Sequence, residues 1–159
     1  QAFSLVDRIK HQFPNSDLYL IFHRGMKPDQ YTRINHSAAN LALAAYGQIR
    51  GYNVINAAYS TDDLRHYEDC DLHVGYRVHG HINALSHRHA SILIQEDGRG
   101  LGQTMTLGTH DVSGQDPDAV DKIEDIIQSY RDTKFDAFYP IMQKIRETHQ
   151  TMKDFIESF

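Results

Sequence analysis

The sequence is poor in cysteine and has no excess of positive charge. Cys70 is its one cysteine, and 16 Lys and Arg stand against 21 Asp and Glu, for a formal net charge of -5. A lone cysteine closes no internal disulfide, which fits a reducing compartment. A chain without a basic field has no bulk attraction for nucleic acid or an anionic membrane surface, so neither is an expected partner, and any anion site must be local. No apolar run approaches the roughly 20 residues of a membrane span, and no basic stretch followed by a hydrophobic one opens the chain. A cytoplasmic protein without a membrane span is therefore expected. Gly-x-Ser-x-Gly, Walker, His-Glu-x-x-His and Cys-x-x-Cys patterns are missing, as is a Gly-x-Gly-x-x-Gly after a first strand. Esterase, ATPase, zinc and classical dinucleotide readings lose their usual support.

What is present is a pattern of alternating helices and strands. With 159 residues and 40% hydrophobic content the chain has the size and core of one domain, residues 1–159. Residues 2–13 carry a helical stripe of Phe3, Val6, Ile9 and Phe13, closed by Pro14-Asn15-Ser16. Residues 17–22, with a continuous apolar run from Leu18 to Phe22, are expected as a strand buried on both faces. Residues 31–50 read as a helix with Ala38, Leu41, Ala42, Ala45 and Ile49 on its core face and Gly51 as the C-terminal stop. Residues 52–57 predict a second strand, and residues 62–69 a short helix capped by Ser60 or Thr61. Cys70 is expected as a small buried residue before the next strand.

A strand, a turn, a helix and a strand follow between residues 71 and 97. Leu72, His73 and Val74 are extended, Gly75 breaks the run, Val78, Ile82 and Leu85 have helical spacing, and residues 91–94 form a buried strand. Strands alternating with helices at this spacing imply right-handed crossovers and a mostly parallel sheet, an α/β fold. Five glycines between residues 95 and 115 predict a long loop over the carboxyl edge of that sheet. Two C-terminal helices complete the pattern over residues 116–159. The first has a stripe of Ala119, Ile123, Ile126, Ile127 and Tyr130. The second, from residue 135, carries Phe138, Ile141, Met142, Ile145, Met152, Phe155, Ile156 and Phe159, with Pro140 as a kink or as its true start.

Arg77 and His79 fall just past the carboxyl end of a strand, at the amino end of a helix. Open α/β sheets bind anions there, because unpaired backbone N–H groups, the helix dipole and a guanidinium act in one direction. Gly80 lets a ligand approach the backbone. The plainer alternative pairs Arg77 with Asp71 or Glu68 and makes His79 a hydrogen-bonded helix cap. Histidine is abundant at 11 residues, and His73, His79, His81, His87 and His89 cluster. On the expected elements His73, His81 and His89 point in different directions, so a metal site is not expected, and His87 and His89 read as exposed turn residues.

The run Asp71, Gly75, Arg77, His79 and Gly80 resembles the Asp-x-x-x-Gly-x-Arg-x-His-Gly signature of the polysaccharide pyruvyl transferase family. The likeness extends to a loop at residues 23–29 and another at 97–102, about two thirds of the chain. It implies a three-layer Rossmann-like domain, one GT-B-like half of a two-half enzyme, with the N-terminal half missing. A chain opening at Gln1 on a helical pattern fits that expectation. The implied activity transfers the enolpyruvyl unit of phosphoenolpyruvate to two sugar hydroxyls, giving a pyruvate ketal in polysaccharide biosynthesis. No cofactor is implied beyond that donor. The acceptor would be a glycan or lipid-linked sugar.

By the same resemblance Arg77 is the clamp for the donor's anionic groups and His79 the general acid. His23 and Arg24 would face the ligand, Arg24 toward phosphate, with Lys27 and Asp29 in the same loop. Asp97 and Arg99 would approach the donor from the other side. The competing expectations are a GT-B glycosyltransferase-like domain that holds a nucleotide sugar, and a non-catalytic anion-binding domain.

Overall fold

The computed structural model describes residues 1–158, with Ala137 by its backbone alone. It is a mixed α/β structure, 55% helical, in which every strand pairing is parallel. Residues divide into two compact units, Gln1–Asp69 and Cys70–Phe159.

The first unit runs α1 (Ala2–Gln12), β1 (Tyr19–Phe22), α2 (Ile34–Ile49) and β2 (Asn53–Asn56), followed by a 3-10 turn at Asp62–Tyr67. Tyr19 pairs with Asn53 and Phe22 with Asn56. This ladder has only two strands, so β1 is not the fully buried central strand that its apolar run predicts. Tyr19 is exposed, Leu20 and Ile21 are half-buried, and Phe22 alone is buried. Helices α1 and α2 are tied through Asp7, which accepts from Tyr46 Oη at 2.6 Å and stands 2.7 Å from Arg50 Nε. Tyr52 Oη donates to Val6 O at 2.8 Å. Gly51, at φ 84, turns the chain from α2 into β2.

The face of α2 differs from the one its hydrophobic stripe predicts. Ser37, Ala44 and Gly47 are buried, while Ala38, Leu41, Ala42, Ala45 and Ile49 are exposed. The reason is steric. At Gly47 a β-carbon would lie 2.8 Å from Leu20 Cδ2, so the helix approaches its strand most closely on its smallest side chains.

The second unit contains β3 (Leu72–Gly75), α3 (Val78–Ser86), β4 (Ala90–Gln95), α4 (Gly98–Leu107), β5 (Asp111–Ser113), α5 (Ala119–Asp132) and α6 (Tyr139–Glu157). Its sheet order is β3-β4-β5. The two ladders are separate in their hydrogen bonding, where the alternation of elements predicts one continuous sheet. Strand β4 is the core, with Ile92, Leu93 and Ile94 wholly buried. Helix α3 covers it with Ala84 and Leu85, and α5 adds Ala119, Ile123, Ile127 and Tyr130 at helical spacing. Cys70, before β3, is half-buried rather than buried.

The long loop expected between residues 95 and 115 is instead a helix and a strand. Asp97 caps α4 by accepting from Arg99 N at 3.0 Å. Gly98 opens the helix, and Gly108, left-handed at φ 67, ends it with its N–H on Thr104 O. Gly100 faces β4, where a β-carbon would come within 3.2 Å of Leu93 Cδ2 and Gln95 Cγ. Glycine here marks a start, a close approach and a stop. β5 then pairs with β4, Leu93 opposite Asp111.

Pro140 marks the true start of α6, which begins at Tyr139 with proline in its first turn. Phe138 and Ile141 are buried. Met152, Phe155 and Ile156, expected in the core, are exposed. Phe159 lies outside the described residues. Among the described residues no helix is long and apolar enough to cross a membrane.

Candidate functional site

Strands β3 and β4 are parallel neighbours with Gly75 opposite Leu93, so both release their chains at the same sheet edge. The residues that follow, Tyr76-Arg77 and Glu96-Asp97, stand at that edge. Arg77 is the N-cap residue of α3 with an extended backbone at φ -95, and no side chain caps the first turn of the helix. Its guanidinium is about one-third exposed and its Nη1 lies 4.0 Å from Glu96 Oε2. Glu96, at the end of the neighbouring strand, is therefore one partner of this guanidinium. At 4.0 Å and partly solvated, this pair contributes little energy, on the order of 0–1 kcal/mol. His79 follows in the first turn and is exposed, while Gly80 beside it is buried. The Tyr76 phenol titrates above its ordinary range because it is partly buried and faces the charge of Glu96.

Asp97 and Arg99 form a tight pair. Asp97 accepts from Arg99 Nε at 3.1 and 3.2 Å and from Nη2 at 2.6 Å. These bonds hold the Asp97 carboxyl below the usual carboxylate range. Asp97 therefore has two structural tasks, capping α4 and orienting Arg99, whose side chain is largely exposed.

The remaining candidates belong to the first unit. His23 Nε2 is 2.7 Å from Tyr67 Oη. Arg24 donates from Nη1 to His36 Nδ1 at 3.2 Å. Asp29 organises its loop: its Oδ1 accepts from the backbone N–H groups of Tyr31 and Thr32, each at 2.7 Å, and its Oδ2 accepts from Tyr59 Oη at 2.8 Å. The Tyr59 hydroxyl, with those N–H groups, lowers the titration of this exposed carboxyl. Lys27 lies in the same loop and is exposed.

The sequence reading misses a histidine cluster in the second unit. His73 and His81 do not diverge. The Nδ1 atoms of both lie 2.7 Å from Ser91 Oγ. A hydroxyl has one proton, so it donates to one ring and accepts from the other, and the two imidazoles hold opposite tautomers. Ser91 and His81 are fully buried, and His81 Nε2 has no partner among the described residues. Burial lowers the His81 pKa to about 4. A serine inside the apolar run Ser-Ile-Leu-Ile was the available signal, because a polar side chain in a central strand requires hydrogen-bond partners. His110 is a second such case, with Nδ1 2.7 Å from Tyr130 Oη and a pKa lowered by burial. His87 and His89 are half-buried rather than exposed, their rings 6.4 Å apart. Among the described residues no group of three or more His, Cys, Asp or Glu is placed to hold a metal ion.

No family model, no curated protein and no solved structure matches this chain.

Proposed function

We propose that the chain is the carboxyl-terminal, Rossmann-like and GT-B-like half of a cytoplasmic pyruvyl transferase, with phosphoenolpyruvate bound at the edge where β3 and β4 end. The observation that carries this reading is Arg77, a partly exposed guanidinium at the carboxyl end of a parallel strand and at the uncapped N-terminus of α3. Backbone N–H groups, helix dipole and guanidinium favour the same charge there. A donor with a carboxylate and a phosphate suits such a site.

In this reading Arg77 clamps an anionic group of the donor, and His79, two residues on in the first turn, is the acid. Protonation of the terminal methylene carbon by His79 turns it into a methyl group as one sugar hydroxyl adds to the central carbon. A second hydroxyl then displaces phosphate from that carbon, leaving the cyclic ketal. One hydroxyl proton restores His79 and the other leaves with phosphate and solvent. Arg99, exposed and aimed by Asp97, can take a second anionic oxygen. The acceptor, a glycan or lipid-linked sugar, is held chiefly by a second half in this reading.

Calorimetric titration of the protein tests this. Uptake of phosphoenolpyruvate, lost in Arg77→Ala, is expected. Uptake of a nucleotide sugar in its place would make the domain glycosyltransferase-like, and uptake of neither would leave a non-catalytic scaffold. When full-length enzyme and acceptor are combined, His79→Ala should bind donor yet fail to transfer. Near-normal turnover would exclude His79 as the acid.

A further inference from the structure

Among the described residues, helix α2 of the first unit presents an exposed apolar face. Ile34 is 75%, Leu41 51% and Ile49 82% exposed, and Ala38, Ala42 and Ala45 lie exposed between them. The helix INHSAANLALAAYGQI contains no Asp, Glu, Lys or Arg. Solvent-facing helix surfaces ordinarily carry charges, and a helix that is apolar on both sides is ordinarily covered on both. This face is therefore shaped for contact.

The residues of its exposed stripe are also close to self-matching. Laid antiparallel against its own copy, with the two-fold axis between Leu41 and Ala42, the helix sets Ile34 against the copy's Ile49, Asn35 against Gln48, Ala38 against Ala45 and Leu41 against Ala42. Isoleucines meet at the ends, Ala38 and Ala45 let the backbones approach, Leu41 packs on the copy's Ala42 at the centre, and the amides of Asn35 and Gln48 can bond each other. Self-matching across a two-fold axis is what an isologous contact requires. No ion need be desolvated along the helix, and the like charges of Arg33 and Arg50 at its ends are offset in part by the ion pair of Arg50 with Asp7 at 2.7 Å.

We propose that two copies of this chain pair through α2, antiparallel about Leu41 and Ala42. Sixteen residues span about 24 Å, and one helix face supplies less than the ~800 Å² per partner of a standard interface, so the dimer is weak and concentration-dependent. This inference does not depend on the catalytic reading.

Sedimentation velocity from about 5 to about 500 µM tests it, a range set to bracket a micromolar dissociation constant. The expected result is a rise from monomer to dimer with concentration, abolished by Leu41→Glu, a change at an exposed position that leaves the monomer folded. A second measurement fixes the register. In a Cys70→Ser background, Ala42→Cys should form an intermolecular disulfide on oxidation, and Cys placed at His11, outside the stripe, should not. A monomer throughout that range, or a dimer that persists in Leu41→Glu, would overturn the proposal.

Discussion

Ser91 Oγ and His81 Nδ1 lie 2.7 Å apart inside the core of the second unit, with both residues fully buried. The hydroxyl also reaches His73, so it links two imidazoles across β3, α3 and β4.

Ser91→Ala removes the partner of His81 and one partner of His73. A buried polar atom left without its hydrogen bond costs about 1–3 kcal/mol. Urea unfolding should show a fall of that size, while Ser91→Thr, which keeps the hydroxyl, should lose less. Equal losses would mean that packing and not the hydrogen bond matters here.

Acid should weaken the fold through His81. Its folded pKa, about 4, lies below the ordinary 6.5, so the unfolded chain binds the extra proton first. The neutral ring's contribution is complete above pH 6.5 and is lost as pH falls toward 4. Two to three pH units correspond to roughly 3 kcal/mol. Unfolding free energies measured across this window should show the slope, and His81→Gln should reduce it. An unchanged slope in that variant would assign the effect to another group.

Glu96 competes with any anion for Arg77. Glu96→Gln removes a charge 4.0 Å from the guanidinium, and for so exposed a pair the gain in anion affinity is modest, about two- to five-fold. Titration with phosphoenolpyruvate or inorganic phosphate reads it. A weaker affinity in the variant would place the anion elsewhere.

The glycines of α4 should respond in opposite directions. Nothing lies within 4 Å of a β-carbon at Gly102, inside the helix, so Gly102→Ala should stabilise by about 0.5–1 kcal/mol. Gly108 has φ 67, and Gly108→Ala should destabilise by about 1 kcal/mol. Thermal unfolding of the two variants gives the sign of each.

Asp97→Ala should cost about 0.5–2 kcal/mol through loss of the α4 cap. It also frees Arg99, so Asp97→Asn, which keeps a capping oxygen but loses the charge, separates the two tasks. If Asp97→Asn costs as much as Asp97→Ala, the ion pair with Arg99 outweighs the cap.

The alternation of helices and parallel strands was legible because each element has its own period and punctuation. Apolar runs mark β1 and β4, Gly51 ends α2, and Gly75 ends β3. The second half of the chain was less legible where glycine serves a helix instead of breaking it. Gly98, Gly100 and Gly108 act as start, contact and stop, and composition alone does not separate these from loop glycines. At the candidate site, the placement of Arg77 and His79 at a strand-to-helix turn follows from the sequence, while Glu96 as the neighbour of Arg77 does not. That contact joins the ends of two strands through their pairing register.

The sequence by itself determined the elements from α1 to β4, their order and the residues that stand at the end of β3, since these depend on local periodicity and turn chemistry. Only the tertiary structure decided which face of α2 meets its strand, that Ser91 would join His73 and His81, and that α4 and β5 would close the second sheet. These depend on side chains distant in sequence competing for one space, where the smallest surface packs closest and a buried hydroxyl takes the partners within its reach.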